Sequence, residues 1–125
     1  MPETILIVED EPALRDTLTY NLKKDNFTVE AVGDGRAALE SARALKPDLI
    51  ILDIMMPIMD GYTLNSRLQK EEKTRSIPIL VLTAKGQKMR DLFEMAPNVA
   101  AYVQKPFDPK MLRELILGIL SSRKN

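Results

Sequence analysis

Leu49-Ile50-Ile51-Leu52-Asp53 is the stretch that decides the fold, because four consecutive aliphatic side chains are followed directly by an acid. An unbroken apolar run of this length, rich in β-branched residues, is typical of a strand that is buried on both faces. Strands of that kind occur in parallel sheets that helices cover on both sides. Residues 5–8 and 79–82 have the same character. The sequence therefore predicts a sheet whose central strands are fully enclosed.

Two further segments complete the set of predicted strands. Residues 28–32 largely alternate polar with apolar side chains, as expected of a strand nearer a sheet edge, and residues 100–103 form a fifth candidate. Between the strands, apolar side chains recur at helical spacing. Helices are predicted around Leu14, Leu18 and Leu22, over residues 35–46, around Leu64 and Leu68, over residues 87–95, and over residues 109–120 after the start signal Asp108-Pro109.

The regular alternation of strand and helix predicts an α/β fold. Right-handed crossovers place the carboxyl ends of parallel strands at one edge of the sheet. We expect a flavodoxin-like (βα)5 doubly wound parallel sheet of strand order 2-1-3-4-5 with helices on both faces. In that order the reversal lies between the first and third strands, and ligands of open α/β sheets bind at such a reversal. The length of 125 residues suits a single domain, residues 1–125.

The composition restricts the classes of function. Lysine plus arginine and aspartate plus glutamate number 18 each, so no net positive charge predicts binding to nucleic acid or to an anionic membrane. No apolar run approaches membrane-spanning length and the amino terminus lacks an export signal, so a cytoplasmic location is expected. Because the chain has neither cysteine nor histidine, its chemistry must rest on carboxylates, hydroxyls and lysine.

Side chains capable of chemistry stand at the ends of the predicted strands. Glu9 and Asp10 follow the first strand, Asp53 ends the third, Thr83 ends the fourth and Lys105 follows the fifth. Two carboxylates roughly 5 Å apart repel each other by about 3 kcal/mol at an effective dielectric constant near 20. Three acids and one lysine therefore need a proton or a hard cation, and oxygen ligands in a shallow site favour Mg²⁺. A carboxylate is also able to attack phosphorus and form an aspartyl phosphate.

Four segments carry motifs of a known family. They are residues 5–11 (ILIVEDE), 53–61 (DIMMPIMDG), 81–84 (VLTA) and 102–107 (YVQKPF). In order and spacing they resemble the receiver domains of two-component response regulators, of the chemotaxis-regulator type that stands alone or is isolated from a longer protein. The resemblance covers essentially the whole chain. It implies a phosphorylation-dependent signalling switch that catalyses its own phosphorylation and dephosphorylation, with no turnover of an external substrate.

The resemblance also implies roles for the acids. Asp53 is the expected phosphoacceptor, which attacks a phosphohistidine on a partner histidine kinase or histidine phosphotransfer protein. Mg²⁺ is the expected cofactor, bound by Asp10, by Asp53 and by the backbone carbonyl of Met55, with Glu9 acting through water. Lys105 is expected to form an ion pair with the phosphoryl group.

The switch that the resemblance implies involves further residues. The peptide bond from Lys105 to Pro106 is expected to be cis, the Thr83 hydroxyl to bind a phosphoryl oxygen, and Tyr102 to turn inward when the threonine moves. The output surface towards a downstream protein would comprise the fourth helix, fifth strand and fifth helix, here residues 87–95, 100–104 and 109–120. A phosphorylation-dependent homodimer is a further option.

Other interpretations stay open at the level of sequence. Asp10 alone could cap a helix, Thr83 could be an ordinary strand residue, and Tyr102 could belong to the core. Residues 97–101 differ from the Gly-Ala-Asp turn common in the family, so a different loop into the fifth strand is expected. The chain could instead be a phosphorylation-independent receiver-like scaffold, or the N-terminal receiver of a longer DNA-binding regulator. A phosphatase that works through an aspartyl phosphate is discounted, because it normally has a second acid two residues after the nucleophile and this chain has Met55 there.

Overall fold

Within the described residues, the strands and helices follow one another in the predicted order. The computed structural model describes residues 2–53, 61–83 and 98–123, with Tyr62 and Arg123 described by backbone alone. The elements are β1 (Thr4–Val8), α1 (Pro12–Lys24), β2 (Thr28–Val32), α2 (Gly35–Leu45), β3 (Leu49–Asp53), α3 (Gly61–Gln69), β4 (Ile79–Thr83), β5 (Val99–Gln104) and a C-terminal helix (Pro109–Arg123). The predicted helix over residues 87–95 lies outside the described residues.

The five strands form one parallel sheet in the order β2-β1-β3-β4-β5. This order confirms the predicted topology. In the register of the sheet Val8 lies beside Leu52, while Asp53 lies beside Leu82. The carboxyl ends of β1, β3 and β4 therefore come level at the edge where the acids were expected.

The side chains of the three central strands divide between two buried layers, because successive strand residues point to opposite faces. All twelve of the strand side chains named below are fully buried. One layer packs on α2 and α3 and contains Leu6, Val8, Ile50, Leu52, Ile79 and Val81. The other packs on α1 and the C-terminal helix and contains Ile5, Ile7, Leu49, Ile51, Leu80 and Leu82. The double burial explains why these strands appear as unbroken apolar runs.

Element boundaries differ from the predictions by a few residues. Helix α2 ends at Leu45 because Lys46 adopts a left-handed conformation with φ of 48°. Strand β5 extends from Val99 to Gln104, and its register with β4 shifts so that Ala100 is an extra residue. A β-bulge of this kind bends a strand locally. In the described ranges no helix has the length and apolar character to span a bilayer.

The entry into β5 contains a buried amide cluster. Asn98 and Asn65 are almost inaccessible to solvent. The Asn98 side-chain amide donates to Asn65 Oδ1 at 2.8 Å, and Gln69 donates to Asn98 Oδ1 at 2.8 Å. The main-chain carbonyl of Asn98 accepts from Ile79 at 2.8 Å. This cluster joins α3 to the start of β5, in the segment whose sequence departs from the family pattern.

Candidate phosphoacceptor site

Three carboxylates converge at the carboxyl edge of the sheet. Asp53 ends β3, while Glu9 and Asp10 follow β1 on the neighbouring strand. One carboxylate oxygen of each residue lies within 4.8 Å of those of the other two. Glu9 is 0% exposed and Asp53 is 4% exposed, whereas Asp10 is open to solvent. The cluster is thus buried on one side and accessible on the other.

Lys105 supplies the positive charge opposite this cluster. Its Nζ lies 3.1 Å from Glu9 Oε1 and 3.4 Å from Asp53 Oδ1. The backbone N–H of Lys105 donates to the carbonyl of Thr83 at 2.7 Å, which ties the residue to the end of β4. The peptide bond between Lys105 and Pro106 is cis, as expected. The lysine is therefore held by its backbone as well as by its charge.

Burial and charge give Asp53 unusual protonation behaviour. The pKa of Asp53 is raised to about 7, chiefly by burial and next by the neighbouring carboxylate of Glu9, while Lys105 offsets part of the rise. Burial by itself lowers the pKa of Lys105, but its hydrogen bond to Glu9 and the charge of Asp53 outweigh that effect and raise it. Lys105 is consequently charged at neutral pH, and one positive charge faces the acids. The single positive charge of Lys105 does not balance the three acids, so a further cation would be favourable in this cluster.

The residues of the site fit a hard divalent cation. Within the described ranges the cluster of candidate metal ligands, Glu9, Asp10 and Asp53, offers carboxylate oxygens, and the open side at Asp10 leaves space for the waters that Mg²⁺ keeps. Glu9 and Asp53 are buried together, so a cation would relieve repulsion that Lys105 alone does not balance. The carbonyl of Met55, expected as a further ligand, lies outside the described residues.

Glu9 is held by three contacts besides Lys105. Its backbone N–H donates to the Val32 carbonyl at 3.0 Å, and its Oε2 accepts from the backbone N–H of Glu11 at 3.1 Å. Its carbonyl accepts from Arg15 Nη1 at 3.0 Å. Both the backbone and the side chain of Glu9 are therefore fixed where β1 leaves the sheet.

The helix-cap interpretation of Asp10 is not supported by the local geometry. Helix α1 begins at Pro12, and its N-cap is Glu11 rather than Asp10. By contrast, Asp34 is an N-cap whose side chain accepts from the backbone N–H of Ala37 at 2.8 Å. Asp10 belongs with the carboxylate cluster instead.

The family model for response regulator receiver domains matches residues 5–117. The chain belongs to this family. The receiver domain is 37% identical over 116 residues to the DNA-binding dual master transcriptional regulator RpaA of Synechocystis sp., which covers 93% of the domain and 48% of that relative. It is 35% identical over 120 residues to the alkaline phosphatase synthesis transcriptional regulatory protein PhoP of Bacillus subtilis, covering 96% and 49%. The chain spans about half the length of these curated relatives.

Solved structures agree with this assignment. The receiver domain of the sensor histidine kinase PA1611 from Pseudomonas aeruginosa superimposes with a TM-score of 0.88 at 30% identity, covering 97% of this chain and 99% of that one. That structure has a magnesium ion coordinated in its active site cleft. The present chain is thus a two-component receiver domain with the acidic cluster at which such domains bind Mg²⁺.

The expected switch residues of the receiver domain lie on adjacent strands. Thr83 is half-buried at the end of β4, opposite Gln104 of β5. Tyr102 is half-buried on β5 and packs against the layer beneath α2 and α3. The fourth helix of the expected output surface lies outside the described residues, whereas β5 and the C-terminal helix are described.

Arg15 and the Glu11 amide are contacts of the receiver site that the sequence motifs do not indicate. Arg15 lies six residues after Glu9, in the first part of α1. Helical side chains lean towards the amino terminus of their helix, and this direction is the signal that would have placed Arg15 near the acids. Its partner is the backbone carbonyl of Glu9, and every residue has such a carbonyl, so the sequence gives no signal for this contact.

Proposed function

We propose that Asp53 accepts a phosphoryl group from a phosphohistidine on a partner histidine kinase or histidine phosphotransfer protein. The observation that carries this proposal is the buried Asp53 carboxylate, which lies 3.4 Å from Lys105 within a cluster of three acids. A carboxylate oxygen of Asp53 attacks the phosphorus atom. The bond from phosphorus to the imidazole nitrogen breaks, and its electron pair returns to the histidine ring.

The neighbouring residues have separate roles in this transfer. Lys105 donates to the phosphoryl oxygens, whose negative charge is spread in the transition state. Asp10, Asp53 and the Met55 carbonyl would hold Mg²⁺, with Glu9 acting through water, and the bound ion would neutralise phosphoryl charge and favour the deprotonated form of Asp53. Thr83 donates its hydroxyl to a phosphoryl oxygen of the product.

Phosphorylation then changes the output surface. The movement of Thr83 towards the phosphoryl group lets Tyr102 turn inward, which changes the surface formed by β5 and the C-terminal helix together with the expected fourth helix. A downstream protein, or a second copy of the domain, binds that altered surface. The reaction is a self-modification without turnover of an external substrate.

A longer regulator is a second candidate for the output. RpaA of Synechocystis sp. is named as DNA-binding, and this chain covers 48% of its length. In such a regulator the receiver would control a DNA-binding segment, and the receiver itself, which has no net charge, would not contact DNA.

Intact-mass spectrometry tests the phosphoacceptor directly. Incubation with acetyl phosphate or phosphoramidate and Mg²⁺ is expected to add one phosphoryl group to the wild type and none to Asp53→Asn. Asp48→Asn is the matched control, because Asp48 lies just before β3, at the opposite end of the strand from Asp53, and its carboxylate accepts from the backbone N–H of Thr4 at 2.8 Å. A wild type that gains no phosphoryl group but still binds beryllofluoride would contradict phosphotransfer to this site. A wild type that gains no phosphoryl group and does not bind beryllofluoride would favour the phosphorylation-independent scaffold.

A further inference from the structure

We propose that Arg15 is a positioning residue for the acidic site, and that Gly33 lacks a side chain so that Arg15 can reach its partner. The inference rests on the proposed function, since it concerns the Mg²⁺ site at which Asp53 reacts. Arg15 does not contact the carboxylates in this role. It holds the backbone that carries Glu9 and Asp10, through the 3.0 Å bond from Nη1 to the Glu9 carbonyl.

The end of β2 explains why this carbonyl needs a side-chain partner. Val8 pairs with Val32, and the Glu9 N–H continues the ladder by donating to the Val32 carbonyl. The N–H and C=O of a strand residue point in the same direction, so the Glu9 carbonyl also faces β2. Strand β2 ends at Val32, however, and the chain turns into α2 with Asp34 as the N-cap. Arg15 therefore donates to the Glu9 carbonyl in place of the backbone N–H that a longer β2 would have supplied.

Gly33 lies directly beneath the arginine. A Cβ atom at position 33 would be 2.8 Å from Arg15 Nη1 and 4.0 Å from the Glu9 carbonyl oxygen. The first distance is shorter than real carbon contacts allow, and the obstructing atom is the end of a flexible side chain. A methyl group at Gly33 would therefore displace the guanidinium group while leaving the backbone in place.

The bond to Arg15 fixes the orientation of the Glu9–Asp10 peptide. That peptide joins the two acids that β1 contributes to the cluster, and Asp53 is the third member. Residues that orient metal ligands through hydrogen bonds typically affect metal affinity by about 10- to 100-fold. Without Arg15 the Glu9 carbonyl loses the partner that fixes this peptide, and the carboxylate of Asp10, which follows the peptide, has to be ordered when the cation binds.

Mg²⁺ affinity, measured by isothermal titration calorimetry on the whole chain, tests this role. Arg15→Ala is expected to weaken binding about tenfold, and Arg15→Lys, which retains a donor and the charge, to recover part of the loss. Gly33→Ala is expected to weaken binding to a similar extent. In the Arg15→Ala background, Gly33→Ala is expected to have no further effect, because the group it displaces is already gone.

Lys24→Ala is the matched control, since it removes one positive charge from the exposed far end of the same helix. It is expected to leave Mg²⁺ affinity unchanged. Amide hydrogen exchange in EDTA gives a readout without metal, in which Arg15→Ala and Gly33→Ala should both accelerate exchange at Asp10 and Glu11.

Three outcomes would overturn the proposal: unchanged affinity in Arg15→Ala, an equal loss in Lys24→Ala, or independent effects of Arg15→Ala and Gly33→Ala. A wild type that binds Mg²⁺ but accepts no phosphoryl group would overturn the proposed function alone. The two failures are therefore distinguishable.

Discussion

Asp53 combines two demands that oppose each other. Burial favours its neutral form and is the largest cause of its raised pKa of about 7, whereas the proposed phosphotransfer requires the anion. Lys105 at 3.4 Å and a bound cation both favour the anion. A pKa of about 7 gives the two forms comparable populations near neutral pH, and a bound cation is expected to shift the balance towards the anion.

This balance predicts a pH-dependent cost in stability. The pKa of Asp53 is about 7 in the folded domain against 3.8 for a free aspartate. The folded state therefore binds this proton more tightly, and the resulting contribution to stability is present below about pH 4 and lost as the pH rises through about 7. Asp53→Asn removes the buried charge. In EDTA at pH 8 the variant is expected to be more stable than the wild type by roughly 2–4 kcal/mol.

Urea unfolding in EDTA at pH 8 and at pH 4 checks this expectation. The difference between Asp53→Asn and the wild type should shrink to below about 1 kcal/mol at the lower pH, because Asp53 is then protonated in the folded state and, with a pKa of 3.8, close to half protonated in the unfolded state. Titrating groups distant from Asp53 contribute equally to the two proteins, and Lys105, whose pKa the charge of Asp53 raises, is protonated at both pH values. A difference that is the same at both values would contradict the raised pKa of Asp53.

At the scale of elements, the start of β5 is joined to α3 by the buried amides of Asn98 and Asn65 and by the half-buried amide of Gln69. A buried amide that loses its partner costs about 1–3 kcal/mol, whereas a bond nearer the surface is worth about 1 kcal/mol or less. Asn98→Ala leaves the buried Asn65 without its 2.8 Å donor. We expect this variant to lose about 2 kcal/mol of unfolding free energy, measured by urea denaturation.

Gln69→Ala is the graded control for the amide cluster. Gln69 is half-buried and loses a single 2.8 Å bond to Asn98, so a loss below about 1 kcal/mol is expected. Phosphorylation by acetyl phosphate should persist in both variants, because the cluster stands apart from the carboxylates. A larger loss for Gln69→Ala than for Asn98→Ala would show that burial does not determine the cost.

The elements also show which features the sequence could predict. The three central strands were predicted because each is buried on both faces and therefore appears as an apolar run. The sequence predicts the end of α2 at Lys46, one residue beyond its end in the structure. The left-handed backbone of Lys46 depends on local geometry that a lysine in the sequence does not indicate. The sequence motifs do not indicate the role of Arg15, because its partner is the backbone carbonyl of Glu9. That carbonyl needs a side-chain donor only because β2 ends at Val32 and supplies no backbone N–H to it. The roles of Thr83 and Tyr102 remain predictions.

At the scale of the whole molecule, cation binding and folding are linked. A ligand that binds only the folded state at about 100 times its dissociation constant stabilises that state by roughly 2.7 kcal/mol. For a domain of this size the midpoint of thermal unfolding should rise by on the order of 10 °C. We expect such a rise on adding Mg²⁺ to the wild type, and less than about a third of it in Asp10→Ala.

Differential scanning fluorimetry with an external dye measures this shift. Sodium chloride at matched ionic strength is the control for general screening, and it should leave the wild-type midpoint nearly unchanged. An undiminished Mg²⁺ effect in Asp10→Ala would remove Asp10 from the expected ligand set. An equal effect of sodium chloride would indicate screening rather than a site.

The uniform direction of the strands gives the domain a reactive edge and an opposite edge free of these groups. The connection from α3 to β4, residues 70–78, lies at the opposite edge, and Glu72 within it is exposed. Because the chain contains no cysteine, Glu72→Cys would create a single thiol there. A dye or a surface tether attached at that thiol would leave the phosphoacceptor edge facing the solution, so that docking of a kinase could be followed by fluorescence or on a sensor chip.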